Sequence, residues 1–139
     1  MYFKAYSSKL NKLSHPFTWK DIQRGVYVEA GKYPYDLNKC DVIRDTGLTD
    51  LCGKHIWEGD IVEFPLYDVS ELKENPEARP VDSFNDLVVF YAGSFILKNP
   101  AWRHALSNQT NIIKAKVEVI GNIFFNRDLL ELNIENIKI

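Results

Sequence analysis

Apolar positions along this chain recur with a period of two more often than with the period of a helix. Between residues 113 and 119, Ile113, Ala115, Val117 and Val119 alternate with Lys114, Lys116 and Glu118. That alternation puts the aliphatic set on one face and the charges on the other, as a half-buried antiparallel strand requires. Leu87–Tyr91 and Ser94–Leu97 are rich in Val, Phe, Ile and Tyr and are separated by Ala92-Gly93 alone. This spacing predicts a two-residue hairpin loop with Gly93 at positive φ. Ile56-Trp57 and Ile61–Phe64 flank Glu58-Gly59-Asp60, a second tight turn. Further strands are expected at Tyr2–Tyr6, Val26–Ala30 and Asp41–Thr46.

Helical signals are short. Asn99 precedes Pro100 at a helix start that Ala101–Leu106 can continue; Asn126 is placed to cap Arg127–Glu131; Thr18 opens Trp19–Ile22, with Gly25 as the stop. None of these helices would be stable alone. The expected fold class is therefore mainly β: a small SH3-like barrel or compact antiparallel sheets with one to three short helices. Residues 65–86 contain Pro65, Pro76, Pro80 and many acids and read as an acidic loop, in which Val69–Asn75 can form a short helix. The expected division is an N-terminal β segment with a short helix over 1–39, then a barrel core over 40–139.

Composition narrows the class. The chain has 139 residues, 45% of them hydrophobic and 26% charged, which is enough apolar surface for a packed core and excludes a disordered polymer. The formal net charge of -2 excludes a nucleic-acid clamp that works by total charge. Charge is nevertheless segregated. Residues 1–20 hold Lys4, Lys9, Lys12 and Lys20 and no acid, whereas residues 58–86 hold nine acids against Lys73 and Arg79. No apolar run approaches the roughly 18 residues of a membrane span, and the first residues lack the apolar core of a secretory signal, so a cytoplasmic protein is expected. Cys40 and Cys52 read as two reduced thiols.

Three blocks carry a resemblance. Thr46-Gly47-Leu48-Thr49-Asp50-Leu51-Cys52-Gly53-Lys54-His55-Ile56-Trp57-Glu58-Gly59-Asp60-Ile61-Val62 closely resembles the signature of the YopX family of phage and prophage proteins. Val88–Phe95 is similar to that family's hairpin, and Val117-Glu118-Val119-Ile120-Gly121-Asn122-Ile123 running to Leu129-Leu130-Glu131 resembles its closing segment. The likeness runs over residues 40–131; Phe3-Lys4-Ala5-Tyr6 resembles the family's start, with Tyr6 where a tryptophan is usual. It implies a homo-oligomeric, non-enzymatic phage or prophage accessory protein in the bacterial host cell, acting by self-assembly or partner binding, with no cofactor. The motif residues themselves (Thr46, Gly47, Gly53, Glu58, Gly59, Asp60, Gly93, Gly121 and Asn122) read as structural. Gly47, Gly53 and Gly59 fall where chain reversals are expected, and Asp60 can accept from backbone donors in its turn.

Other chemistries compete with that reading. Cys52-Gly53-Lys54-His55 has half the spacing of a zinc knuckle, with Cys40, His15 or His104 to complete it, but there is no second close pair, and no metal is expected. His55, Glu58 and Asp60 lie close enough to supply a base and an orienting carboxylate, yet no nucleophile elbow, phosphate loop or His-Glu-x-x-His accompanies them, and no catalytic residue or small-molecule substrate is expected. Lys98, Trp102, Arg103, Lys114 and Lys116 mix cations with an aromatic, so a nucleic-acid-binding barrel in phage regulation or genome handling is the alternative function. Finally, Leu132–Ile139 is strand-like to its last residue and can complete its own sheet or add to a neighbour's edge.

Overall fold

The computed structural model describes residues 1–31, 33–66, 68–98 and 117–130. Every strand pairing among them is antiparallel, no long helix occurs, and the sheets include a curled half-barrel, so the fold is mainly β as expected. The chain divides into two compact units, 1–47 and 48–139. This division falls later than the 39/40 boundary expected above, because β5 (Cys40–Thr49) is one continuous strand whose first half belongs to the N-terminal sheet.

In the first unit, β1 (Phe3–Ser7) pairs with β2 (Lys12–Leu13) on one side and with β5 on the other, in a register running from Phe3↔Arg44 to Ser7↔Cys40. β3 (Tyr27–Glu29) and β4 (Pro34–Asp36) form a separate ribbon. Ala5, Phe17, Val28, Ala30 and Tyr35 make the core of this unit. Phe3 and Phe17 exchange backbone hydrogen bonds of 2.8 and 2.9 Å, which brings the segment after β2 back against β1. Thr18 starts a 3₁₀ turn over Trp19–Asp21, and the Asp21 carboxylate accepts from the Thr18 backbone N–H at 2.8 Å. Gly25 is not the stop for this turn. Ile22 is already extended, and Arg24 and Gly25 (φ 53° and 76°) instead reverse the chain between Gln23 and Tyr27.

The second unit carries the motif. β6 (His55–Trp57) pairs with β5, and β10 (Glu118–Asn122), β7 (Asp60–Leu66), β8 (Asp82–Tyr91) and β9 (Ser94–Leu97) form a sheet in that order. β7 is apolar at consecutive positions because both of its faces are covered. Val62 and Phe64 join Ile56, Val88, Leu97 and Val117, whereas Ile61 joins Leu87, Ile123 and Leu130. The β8–β9 hairpin turns on Ala92 and Gly93, φ 51° and 85°, with Tyr91 opposite Ser94, the expected two-residue loop. The acidic loop is narrower than 65–86. Leu66 and Asp82 face each other as the ends of β7 and β8, and Pro65 sits within β7, past the point where the pairing with β10 stops at Glu63. Within the loop, α1 (Val69–Glu74) is capped by the Asp68 carboxylate and ends before Pro76, as expected.

Asn126 does not cap the 3₁₀ turn Arg127–Leu129 with its side chain, since its amide oxygen accepts from the Asn122 N–H instead. The helix expected after Asn99, most of the strand expected over 113–119, and the tail 132–139 lie outside the described residues; Val117–Val119 of that strand are described and lead into β10. Ile56 is fully buried in the larger cluster of the second unit, so Ile56→Ala is expected to cost about 2–5 kcal/mol through the buried methyl groups removed and the cavity left behind. Urea unfolding followed by tryptophan fluorescence measures this; an unchanged midpoint is incompatible with the assignment of Ile56 to the core.

Candidate functional site: a junction of turns around Asp50, Asp60 and Asn122

Asp50 closes β5 and is 2% exposed. Its Oδ1 accepts from the backbone N–H groups of Cys52 (2.9 Å) and Lys54 (2.8 Å), while Oδ2 accepts from Val119 N–H on β10 at 2.9 Å. The Asp50 N–H donates to Lys54 O, and its carbonyl accepts from Gly53 N–H. One side chain thus satisfies a tight turn and a strand edge distant in sequence. Hydrogen bonds to an ionised acceptor are the stronger kind, and a buried carboxylate persists only when so compensated.

The next turn repeats the device. Asp60 Oδ2 accepts from Trp57 N–H at 2.7 Å, closing the reversal at Glu58-Gly59. Gly59 has φ 88°, which a Cβ would oppose, and both of its backbone groups are engaged: its N–H donates to Val88 O and its carbonyl accepts from Ile123 N–H, each at 2.8 Å. Asn122, opposite Asp60 in the β10–β7 register, accepts from Phe124 and Phe125 N–H at 3.0 Å. The register slips between Val119 and Gly121, and a Cβ built on Gly121 would lie 2.7 Å from the Asn126 side chain. Gly121 is required here by close approach to Asn126.

The residues singled out from the sequence therefore divide. Gly53, Gly59 and Gly93 lie in turns at positive φ, and Gly121 and Asn122 lie at the end of β10. Gly47 also has positive φ (76°) but sits inside β5, where its N–H donates to Asp45 Oδ1 and the chain does not reverse. Thr46 precedes it on the same strand. Glu58 and Asp60 are buried, at 7% and 8% exposure, whereas His55 is exposed beside the fully buried Ile56. Asp60 is engaged with the backbone of its own turn. Among the described residues no three His, Cys, Asp or Glu side chains converge as metal ligands. His104, Trp102, Arg103, Lys114 and Lys116 lie outside the described residues; Lys98 is half-buried just after β9, and its N–H donates to Leu87 O. Sequence reading passes over Asp50 as a functional position. The available signal is an Asp placed two residues before a Cys-Gly turn, the pattern of an Asx-turn.

The two thiols are held away from reactivity. Partial desolvation, then the Glu118 and Asp50 carboxylates, push the Cys52 thiol above its ordinary pKa, and its Sγ lies 3.8 Å from Glu118 Oε1. Burial, followed by Asp36 and Asp41, likewise raises Cys40. Each thiol stays protonated to higher pH than a free cysteine, and the thiol form is the weak nucleophile.

A mainly β scaffold whose Asx and glycine turns tie hairpins to a late strand is the class that this geometry defines. The chain belongs to the YopX family: the family described as "YopX protein" matches residues 3–131, a longer stretch than the three blocks alone cover. Among solved structures, the crystal structure of protein EF1440 from Enterococcus faecalis is similar, with a TM-score of 0.58 and 20% identity over 94% of this chain and 97% of that chain. At that identity the likeness is one of fold. No curated protein matches the chain.

The junction makes its own demands on stability and reactivity. Asp50→Ala strands three backbone donors and is expected to lower unfolding free energy by about 3 kcal/mol or more, with Asp50→Asn losing less because one oxygen is kept; chemical denaturation measures both, and equal stability of wild type and Asp50→Ala refutes the assignment. For Cys52, alkylation by iodoacetamide at neutral pH should run slower than for free cysteine. Glu118→Gln removes the neighbouring charge and moves the titration midpoint down, so its rate at the same pH should rise. A rate indifferent to Glu118 contradicts the contact.

Proposed function

We propose that this chain is a non-enzymatic phage or prophage accessory protein that acts through self-association or partner binding. Family membership supports the YopX-type reading, and the chemistry of the junction supports a scaffold: Asp50, Asp60 and Asn122 are spent on backbone donors, and both thiols are pushed toward their unreactive form.

The observation that carries the assembly reading is the division of charge between the two units. Residues 1–47 hold eight Lys and Arg against five Asp and Glu, a balance of +3, while residues 48–139 hold nine against fourteen, a balance of -5. The acids of the second unit include the exposed Glu71, Glu74 and Glu77 on and after α1. Opposite charges carried on separate units of one chain allow the basic unit of one copy to meet the acidic unit of another, and they set orientation and encounter rate.

Light scattering tests this. The wild type is expected to exceed monomer mass at low salt and to approach it as salt screens the contacts. Glu71→Lys combined with Glu74→Lys and Glu77→Lys should lower the mass at low salt without changing the melting temperature. A monomer at every salt and protein concentration overturns self-association.

A further inference from the structure

We propose that the first unit binds a nucleotide, free or as one unit of a single strand, in a cleft centred on His15. A depression of about 560 Å³ is lined by residues that include His15, Lys20, Gln23, Glu29 and Gly31. A second, of about 170 Å³, is lined by Lys12, Tyr33 and Tyr35 among others and shares His15, Ala30 and Gly31 with the first. The larger one falls within the ~300–1,000 Å³ range of small-molecule sites. None of these residues belongs to the junction around Asp50.

The backbone builds the joint between the two depressions. His15 N–H donates to Ala30 O at 2.8 Å, fixing the segment that carries His15 against the residue that follows β3. Gly31 has φ +114°, and a Cβ there would lie 3.4 Å from the imidazole Cδ2 and Nε2. The exposed imidazole therefore borders a space that a side chain at this position would fill.

Each depression carries one lysine, and an aromatic ring stands beside each of these lysines. Lys12 Nζ stands 4.6 Å from the centroid of the Tyr33 ring, and Lys20 Nζ stands 5.9 Å from that of Trp19, which is 68% exposed. Each pair sets an ammonium beside a π face. A phosphate alone would use only the cations, and an apolar ligand would desolvate the two ammonium groups; a nucleotide presents an anion and a stacking face together. Glu29 and Asp21 also line the larger depression, with Asp21 turned to the Thr18 hydroxyl and N–H. Their negative charge limits the site to a short anionic segment and does not suit a long polyanion.

The test uses the full chain with two probes, a fluorescent ADP analogue and a short fluorescein-labelled oligothymidylate, read by anisotropy at low and physiological salt. Binding of both identifies the free nucleotide as sufficient, whereas binding of the oligonucleotide alone assigns the site to a single strand; either outcome supports the proposal. The double variant Lys12→Gln with Lys20→Gln should weaken binding at least about tenfold, and should reduce the oligonucleotide's log–log salt slope by roughly 0.7 for each phosphate no longer neutralised. Glu29→Gln should tighten it. Both lysines are exposed, so melting temperatures should not move. The proposal is overturned if neither probe binds at low salt, if the double lysine variant binds like wild type, or if the loss occurs only in Lys98→Gln on the second unit.

Discussion

A buried carboxylate with three backbone partners is the constraint around which the second unit is arranged. Asp50 cannot be desolvated without donors, and the Cys52, Lys54 and Val119 N–H groups supply them. The same side chain joins a local turn to a strand that follows it by 69 positions, so the turn cannot form its full set of contacts until β10 has docked. That coupling makes the junction cooperative. Its geometry is set by a long-range contact, although every residue in the turn is local.

Short polar side chains close turns at several other places among the described residues. Asp36 accepts from Asn38 N–H, Asp45 from Gly47, Asp68 from Ser70, Asn75 from Glu77 and Asn122 from Phe124. In each case the acceptor reaches the donor two residues on, which imitates a backbone turn at the cost of a single rotamer. Each of these side chains is thereby committed to its own turn.

How much of this was legible depended on whether the cause was local. The β8–β9 hairpin was readable because Ala92-Gly93 lies between two apolar runs, and β7 because Ile61-Val62 adjoins a glycine turn. The short helix α1 was readable from Pro76 and the residues before it. β2 and β4 were not, because two or three residues such as Lys12–Leu13 and Pro34–Asp36 carry no period. Asn126 reads as a helix cap because Asn is a favoured cap residue and Asp128 falls in the first turn after it, but the bulge in β10 brings it against Gly121, and the Asn122 N–H claims its amide oxygen. Gly121 belongs to the segment that resembles the family's closing block, and its close approach to Asn126 is the physical reason for a glycine there. The cleft at His15 has no sequence signature: Lys12, Lys20, Glu29 and Tyr33 are spread over four local segments, gathered by the β1–β2 and β3–β4 pairings together with the bonds of Phe3 to Phe17 and of His15 to Ala30.

Gly59 shows why a short motif can govern so large a part of the unit. Its N–H is bound by β8 through Val88 and its carbonyl by the segment after β10 through Ile123, so a single peptide neighbourhood fixes strands on both sides of β7. Replacing the hydrogen at its Cα affects more than one turn. A side chain opposed to φ 88° would shift the plane of both hydrogen bonds and, with them, the meeting of Ile61, Leu87 and Ile123 in the smaller core. The Glu58-Gly59-Asp60 sequence is thus a packing instruction written in backbone terms. Asp60 closes the turn, Gly59 lets it bend far enough to touch two strands, and the aliphatic residues that follow are delivered to opposite faces of the sheet.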